Sequence, residues 1–350
     1  MLKKSLPSYV TTVPYELDQM AADSIIVHHN GHEYLIGVDA FQRNPKSQRT
    51  FGGTFKSKEY QILTKALFAF TYGEGEHNVT AAFSAPLNWI EQLREGPGKT
   101  SLNSEMLNIV RQITSEIKFK LNSKNEEWKT CKIKFTSSPQ VYSELASVFN
   151  SMPSKYKSFA LWQLGYGDFQ QAVFIDRIVR PDSFFHTEGI AGAVSILERA
   201  ISHRYGNGVQ ISTAEADKAW LEGAIPEFGG MNGVRVDITD LKRSCAEEYI
   251  DSLVGQALNK FVKYRDRVKT IVLSGGGSKD DIFTNVLKEN VIQKGFVVFK
   301  LSELEEQNIY FDDPSFSCVG GLLRAVSGFE NPVGIDLGNS YLKSGRLSNA

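Results

Sequence analysis

The sequence predicts an α/β protein built as two domains. Helix-periodic segments alternate with short apolar runs along the chain, the pattern of sheets covered by helices. At 350 residues the chain is longer than one hydrophobic core ordinarily accommodates. Apolar runs also end in glycine turns, as where Thr270–Leu273 leads into Ser274-Gly275-Gly276-Gly277-Ser278, a strand-to-helix punctuation common in α/β proteins.

The first forty residues read as strands. Ile25–His29 and Glu33–Val38 flank Asn30-Gly31, whose two positions both favour positive φ in a two-residue hairpin. His28, His29 and His32 straddle that turn with no carboxylate or cysteine in register, so turn decoration outweighs a metal site. Tyr60–Tyr72 carries Ile62, Leu63, Ala66, Leu67 and Phe70 at helical spacing. Val79–Phe83 is a buried-type strand running into Ser84-Ala85-Pro86-Leu87, and Trp89–Glu95 is helical. Gly96-Pro97-Gly98-Lys99-Thr100 imitates the end of a P-loop, but Leu93 stands where that motif needs its first glycine and no apolar strand feeds it. Leu107–Phe119 is helical, Trp128–Phe135 alternates as a strand, and a helix spans Val141–Phe149. The turn at Pro153 marks a domain boundary.

In the second half, strands Phe159–Leu164 and Gln170–Ile175 enclose Gly165-Tyr166-Gly167-Asp168. Ile190–Ser202 is a helix with Ile190, Val194, Leu197 and Ile201 on one face. Glu247–Arg267 shows the clearest helical stripe, through Ile250, Leu253, Val254, Ala257, Leu258, Phe261 and Val262. After strand Thr270–Leu273, Asp280-Asp281 opens another helix, with acidic residues at its positive end, and Phe296–Leu301 is the next strand.

Composition excludes several classes of function. The net charge of −1 offers no electrostatic drive toward DNA or a membrane surface. Cys131, Cys245 and Cys318 lie far apart in sequence without metal-type spacing, which suits a reducing cytoplasm. No apolar run is long enough to span a bilayer, and no basic-then-apolar signal segment follows Met1. The expectation is a cytoplasmic protein without membrane or direct nucleic-acid contact.

Chemistry concentrates in Pro332–Leu347, an apolar strand ending at Asp336, a tight Gly338-Asn339-Ser340 turn, and a second strand carrying Lys343. Such a turn offers successive backbone N–H groups to an anion, and Lys343 adds a point charge. Asp336 stands where a carboxylate holds a nucleotide's magnesium through water. Taken singly, each feature has a plain structural reading: a hairpin with a surface ion pair, a strand-to-helix turn at Gly275–Gly277, and a helix-start residue at Gln140.

The segment Asp336–Lys343 resembles the first phosphate motif of the actin-like ATPases, D-x-G-x-x-x-x-K. Three further blocks are similar to that family: Ser138-Pro139-Gln140 to the first connecting block, Val272–Ser278 to the adenosine block, and Asp313–Phe316 through Gly320–Leu323 to the second connecting block. The second phosphate loop departs from the family's D-I-G-G-G-T-T-D, reading Gln163-Leu164-Gly165-Tyr166-Gly167-Asp168-Phe169-Gln170. Gln163 supplies no charge where the family places an aspartate, and Asp168 replaces a threonine. The blocks fall in family order once the chain is rotated to start at Pro332. The resemblance therefore implies an actin-like two-domain fold, circularly permuted, with residues 1–150 plus 325–350 as one domain and 151–324 as the other. Arg94–Lys129 and Ile211–Arg243 match nothing in the family.

The nearest look is to the bacterial plasmid-segregation actins of the ParM type. That resemblance implies binding of ATP, with GTP the alternative, together with Mg2+. It also implies self-association into filaments and a DNA-binding adaptor. Its site residues would be Gly338, Asn339, Ser340, Lys343 and Gly165, Tyr166, Gly167, Asp168 at the phosphates, with Asp336 and Gln163 toward the metal. Gly275, Gly276, Gly277 and Ser278 would lie at the adenosine, and Glu215 and Lys218 at the base. Gln140 would orient water for hydrolysis, with Asp336 the other catalytic residue. Two alternatives stand beside it: a small-molecule kinase on the same fold, for which Asp168 is the candidate acid, and a nucleotide-binding filament protein with little hydrolysis.

Overall fold

A computed structural model describes residues 2–43, 55–85, 90–93, 95–96, 99–205, 211–225, 235–304, 313–338 and 341–347. The elements in order are β1 (Leu2–Pro7), β2 (Val10–Thr12), β3 (Ser24–His29), β4 (His32–Gly37), α1 (Val38–Arg43), α2 (Lys58–Tyr72), β5 (Gly75–Ala85), α3 (Ile90–Leu93), α4 (Ser104–Ser115), β6 (Ile117–Lys120), β7 (Lys129–Phe135), β8 (Gln140–Ser143) and α5 (Glu144–Ser151). They continue as β9 (Phe159–Leu164), β10 (Phe169–Ile175), β11 (Ile178–Thr187), α6 (Ile190–Tyr205), α7 (Thr213–Glu222), β12 (Ala224–Ile225), β13 (Val236–Asp237), α8 (Thr239–Phe261), β14 (Thr270–Ser274), α9 (Asp281–Gln293) and β15 (Val297–Lys300). The last are α10 (Ser317–Val326), β16 (Pro332–Leu337) and β17 (Tyr341–Arg346). The chain divides into two compact units, residues 1–151 with 316–350 and residues 152–315.

Unit 1 is organised by β5, whose eleven residues serve two sets of neighbours. Its first half pairs in parallel with β7, and its second half pairs in parallel with β16 on one side and β8 on the other. β16 turns back antiparallel into β17, and β17 pairs antiparallel with β1. The sheet therefore runs β1-β17-β16-β5, then through β7, β6, β3, β4 and β2. Asn30 and Gly31 take φ of +49° and +82° between β3 and β4, the left-handed pair the Asn-Gly hairpin demands. Ile62, Leu63, Ala66 and Leu67 of α2 pack with Val79, Ala81 and Phe83 of β5 and Val333 and Ile335 of β16 in one core. α10 lies on β16 and against α5. That approach is close enough that a Cβ at Gly321 would fall 1.6 Å from the Ser147 carbonyl oxygen, so only glycine fits there.

Unit 2 carries the sheet β11-β10-β9-β14-β15. β9, β10 and β11 form an antiparallel meander, β14 joins β9 in parallel and β15 joins β14 in parallel. Trp162, Leu164, Phe169 and Val173 of this sheet share a core with α6, α8 and α9. The order and strand directions repeat those of β1-β17-β16-β5-β8 in unit 1. In unit 2 the meander is continuous in sequence. In unit 1 its first two strands are β16 and β17, and its third is β1.

Several expectations require correction. Ile117–Phe119 is strand rather than helix end, because Ile117 and Phe119 alternate inward against β7 and β3. Gln140–Ser143 is strand β8, not helix: Val141 and Tyr142 suit a pleated surface, and the helix begins only at Glu144. The long helix runs from Thr239, aided by an Arg243–Glu247 ion pair at i,i+4. It ends at Phe261, where Val262–Tyr264 tightens to a 3-10 turn. β11 went unread because its exposed, charge-bearing sequence gives no clean alternation. The residues of the false P-loop that would bear its last glycine lie outside the described residues. No group of three metal-ligating side chains occurs among the described residues, the three histidines of the hairpin included. No helix there is long and apolar enough to cross a membrane.

His29 generates a prediction. Its ring is buried, and its pKa is lowered from 6.5 to about 4 by burial first and then by Lys65, Lys58 and His28. Between those pH values the unfolded chain binds the proton and the folded chain does not, so stability falls as pH drops from 6.5 toward 4. Urea unfolding of the wild type should show this slope, and His29→Gln should flatten it; identical slopes would refute the assignment.

Candidate functional site

In unit 1 the site is built on the carboxyl end of β16. Pro332–Leu337 is nearly all buried, as a strand covered on both faces must be, yet it ends in an acid. Asp336 is 5% exposed. Ser84, at the end of β5, donates its hydroxyl to Asp336 Oδ1 at 2.6 Å. Lys343, paired opposite Asp336 in the hairpin register, brings Nζ to 3.6 Å from Oδ2. One strand farther along, Gln140 of β8 pairs with Ala82 of β5 and accepts the Tyr142 hydroxyl on Oε1 at 2.6 Å. Ser8 Oγ, just past β1, donates to the Gly338 carbonyl at 2.7 Å. The Gly338 end of the turn is thus tied to the neighbouring strand. Asn339 and Ser340 lie outside the described residues. Asp336, Gly338 and Lys343 come together here, with Gln140 two strands away.

Burial pushes the thiol of Cys318, at the start of α10, well above its ordinary value, and the Asp336 and Glu144 carboxylates add to the rise. Asp336 is thus a buried carboxylate with the Lys343 ammonium as an opposite charge beside it. The sequence reading did not single out Ser84; its only sequence signal is its place at the end of an apolar strand.

In unit 2 two turns stand at the carboxyl ends of adjacent parallel strands. β9 ends in Gly165–Asp168, whose Gly165 and Tyr166 carbonyls accept the first N–H groups of α6, from Ile190 at 3.2 Å and Ala191 at 2.8 Å. The Asp168 carboxylate is folded back on its own hairpin, accepting Gln170 Nε2 at 2.6 Å. β14 ends in Gly275, at φ +91°, where a Cβ would lie 2.4 Å from the Leu164 carbonyl oxygen. A 3-10 turn over Gly276–Lys279 follows, closed by Ser278, which donates both N–H and hydroxyl to the Gly275 carbonyl at 3.1 and 2.7 Å. Gln163 stands in register with Gln170 on β10 and Ser274 on β14, a buried row of uncharged polar side chains across three strands. The Ser274 hydroxyl in that row has no hydrogen-bond partner among the described residues.

Glu215 and Lys218 sit on α7. Glu215 is the third residue of the helix and closes a capping box, accepting the Ser212 N–H at 2.7 Å and its hydroxyl at 2.8 Å. Lys218 is more than half exposed and lies 3.9 Å from Glu222. The structure thus gives Glu215 a capping role that its position three residues after Ser212 already spelled out.

Parallel strands that end in glycine turns present backbone amides to a ligand outside the carboxyl edge of a sheet. Each unit has that edge, and unit 1 adds a lysine beside a buried carboxylate. No family model matches the chain, and no curated protein sequence matches it. Solved structures do. An archaeal actin homologue superposes with a TM-score of 0.61 at 13% identity, covering 92% of this chain and 92% of that one. The ParM of a 15-stranded filament from Clostridium botulinum gives 0.65 at 15% identity, covering 93% of each chain. Bacillus thuringiensis ParM with ATP gives 0.55 at 17%, covering 89% of each. The chain has the actin-like fold of the ParM type.

Two substitutions test this geometry. Lys343→Met should lower the unfolding free energy by about 3–5 kcal/mol, because it strands a buried carboxylate; Asp336→Asn in the same background should recover much of that loss. Gly275→Ala should destabilise by at least about 2 kcal/mol, combining a left-handed φ with a backbone clash. Denaturant midpoints within experimental error of the wild type would contradict both.

Proposed function

We propose that this chain is a nucleotide-binding, filament-forming actin-like protein acting in plasmid or DNA segregation in the cytoplasm. The observation that carries this reading is the Asp336–Gly338–Lys343 hairpin. It sits at the carboxyl edge of a sheet whose strand order recurs in unit 2, where two glycine turns occupy the same edge. Similarity to a ParM filament and to a ParM with ATP supports self-association and ATP as the ligand, with GTP the alternative. With a net charge of −1, attachment to DNA falls to an adaptor rather than to direct contact.

Lys343 and the turn beginning at Gly338 hold phosphate in unit 1; Gly165–Asp168 holds phosphate and Gly275–Ser278 meets adenosine in unit 2. The residues fit a magnesium ion carried by the nucleotide rather than one resident in the protein. Asp336, already hydrogen-bonded to Ser84, would hold such an ion through water. When bound, such an ion would supply charge neutralisation at the phosphates. Gln140 orients water for attack on the terminal phosphate. Units 1 and 2 correspond to the two actin-like domains, and the chain is circularly permuted. The support for permutation is the meander that unit 2 runs in sequence and unit 1 assembles from β16, β17 and β1.

A second reading, a filament protein with little hydrolysis, is favoured by the uncharged row of Gln163, Gln170 and Ser274. Sedimentation with Mg-ATP, Mg-GTP or no nucleotide, with released phosphate followed in parallel, separates the two. Asp336→Ala should abolish nucleotide-dependent pelleting and nucleotide binding. Gln140→Ala should spare binding and slow phosphate release by roughly two orders of magnitude. Full nucleotide binding by Asp336→Ala would overturn the site.

A further inference from the structure

A second charge cluster lies in unit 2, with Trp220 and Lys242 buried and Asp280 half-buried. Asp280 caps α9, its Oδ1 accepting the Phe283 N–H at 3.0 Å. Its Oδ2 accepts the Trp220 indole N–H at 2.7 Å and the Lys242 ammonium at 2.8 Å. Lys242 Nζ also stands 4.8 Å from the centroid of the Trp220 ring. Trp220 and Lys242 are 2% and 7% exposed. One carboxylate therefore ties together α7, α8 and α9.

A buried ion pair contributes little net stability, since desolvation offsets its attraction. What it does impose is geometry, because each partner is left uncompensated if it moves. Here that geometry spans two features of the proposed nucleotide site. Asp280 donates its N–H to the Gly277 carbonyl at 3.1 Å, and Thr284 of α9 donates its hydroxyl to the Ser278 carbonyl at 3.2 Å. The Gly275–Ser278 turn is thereby fastened to the capped end of α9. Trp220 lies on the same helix as Glu215 and Lys218.

We infer that Asp280, Lys242 and Trp220 are positioning residues that hold α7 at a set distance from the Gly275–Ser278 turn and so shape the nucleoside side of the site. This rests on the nucleotide-binding reading. The cluster's hydrogen bonds and ion pair run to Phe283, Trp220, Lys242 and Gly277 and to none of the described residues assigned to phosphate, so its loss should be felt by the nucleoside and not by the phosphates.

Calorimetric titration of the full chain with ATP and with inorganic tripolyphosphate, both with Mg2+, tests this. Lys242→Met and Asp280→Asn should each raise the Kd for ATP roughly tenfold while leaving that for tripolyphosphate within about twofold, and the double variant should be no worse than the weaker single, as for groups acting as one unit. Trp220→Phe, which keeps a ring and removes the N–H, should shift ATP in the same direction and serves if Asp280→Asn fails to fold. Unchanged ATP affinity in folded variants, or equal loss for both ligands, would overturn the positioning role. A wild type that binds neither ligand would instead overturn the nucleotide reading, and the positioning role with it.

Discussion

A carboxylate at the end of a buried strand is an expensive group to keep, and much of unit 1 can be understood as keeping Asp336. It requires a hydroxyl and a cation within reach, in a region where burial already drives the Cys318 thiol upward. Ser84 supplies the first only because β5 lies parallel to β16 with Ile335 beside Phe83. Lys343 supplies the second only because the hairpin places it across from Asp336. Helix α10 can cover the strand because Gly321 lets it close upon α5. A register slip of one residue in any of these pairings would turn the partners to the opposite face.

The two units solve the same problem with the same sheet and different chemistry. Each has a three-stranded meander joined to two parallel strands, and each has glycine at the carboxyl edge: Gly338 in unit 1, Gly165 and Gly275 in unit 2. Unit 1 loads that edge with opposite charges. Unit 2 leaves its strand ends neutral, through Gln163, Gln170 and Ser274, and folds the Asp168 carboxylate onto Gln170. Half-buried Asp280 instead ties α7, α8 and α9 together.

Features encoded within a few adjacent residues were legible in the sequence. The Asn30-Gly31 hairpin, the amphipathic α2, the glycine turn after β14 and the Asp336–Lys343 hairpin all depend on local backbone preference and periodicity. What was not legible depends on pairing between distant segments. Gln140–Ser143 looks helical in isolation and is a strand because β5 offers it an edge. Ser84 and Asp336 are 252 positions apart, and Trp220 and Asp280 are 60 apart; no local pattern joins them. Glu215 shows the opposite case: its capping role is marked locally by Ser212 three positions earlier.

In the proposed reading, the carboxyl edge of each unit's sheet presents backbone amides to nucleotide. Amide hydrogen exchange of the intact chain, compared with and without Mg-ATP, reads those amides directly. Slowed exchange concentrated at residues 336–343, 165–168 and 275–279 is the predicted result. Exchange unaltered at all three segments, or slowed only elsewhere, would contradict it.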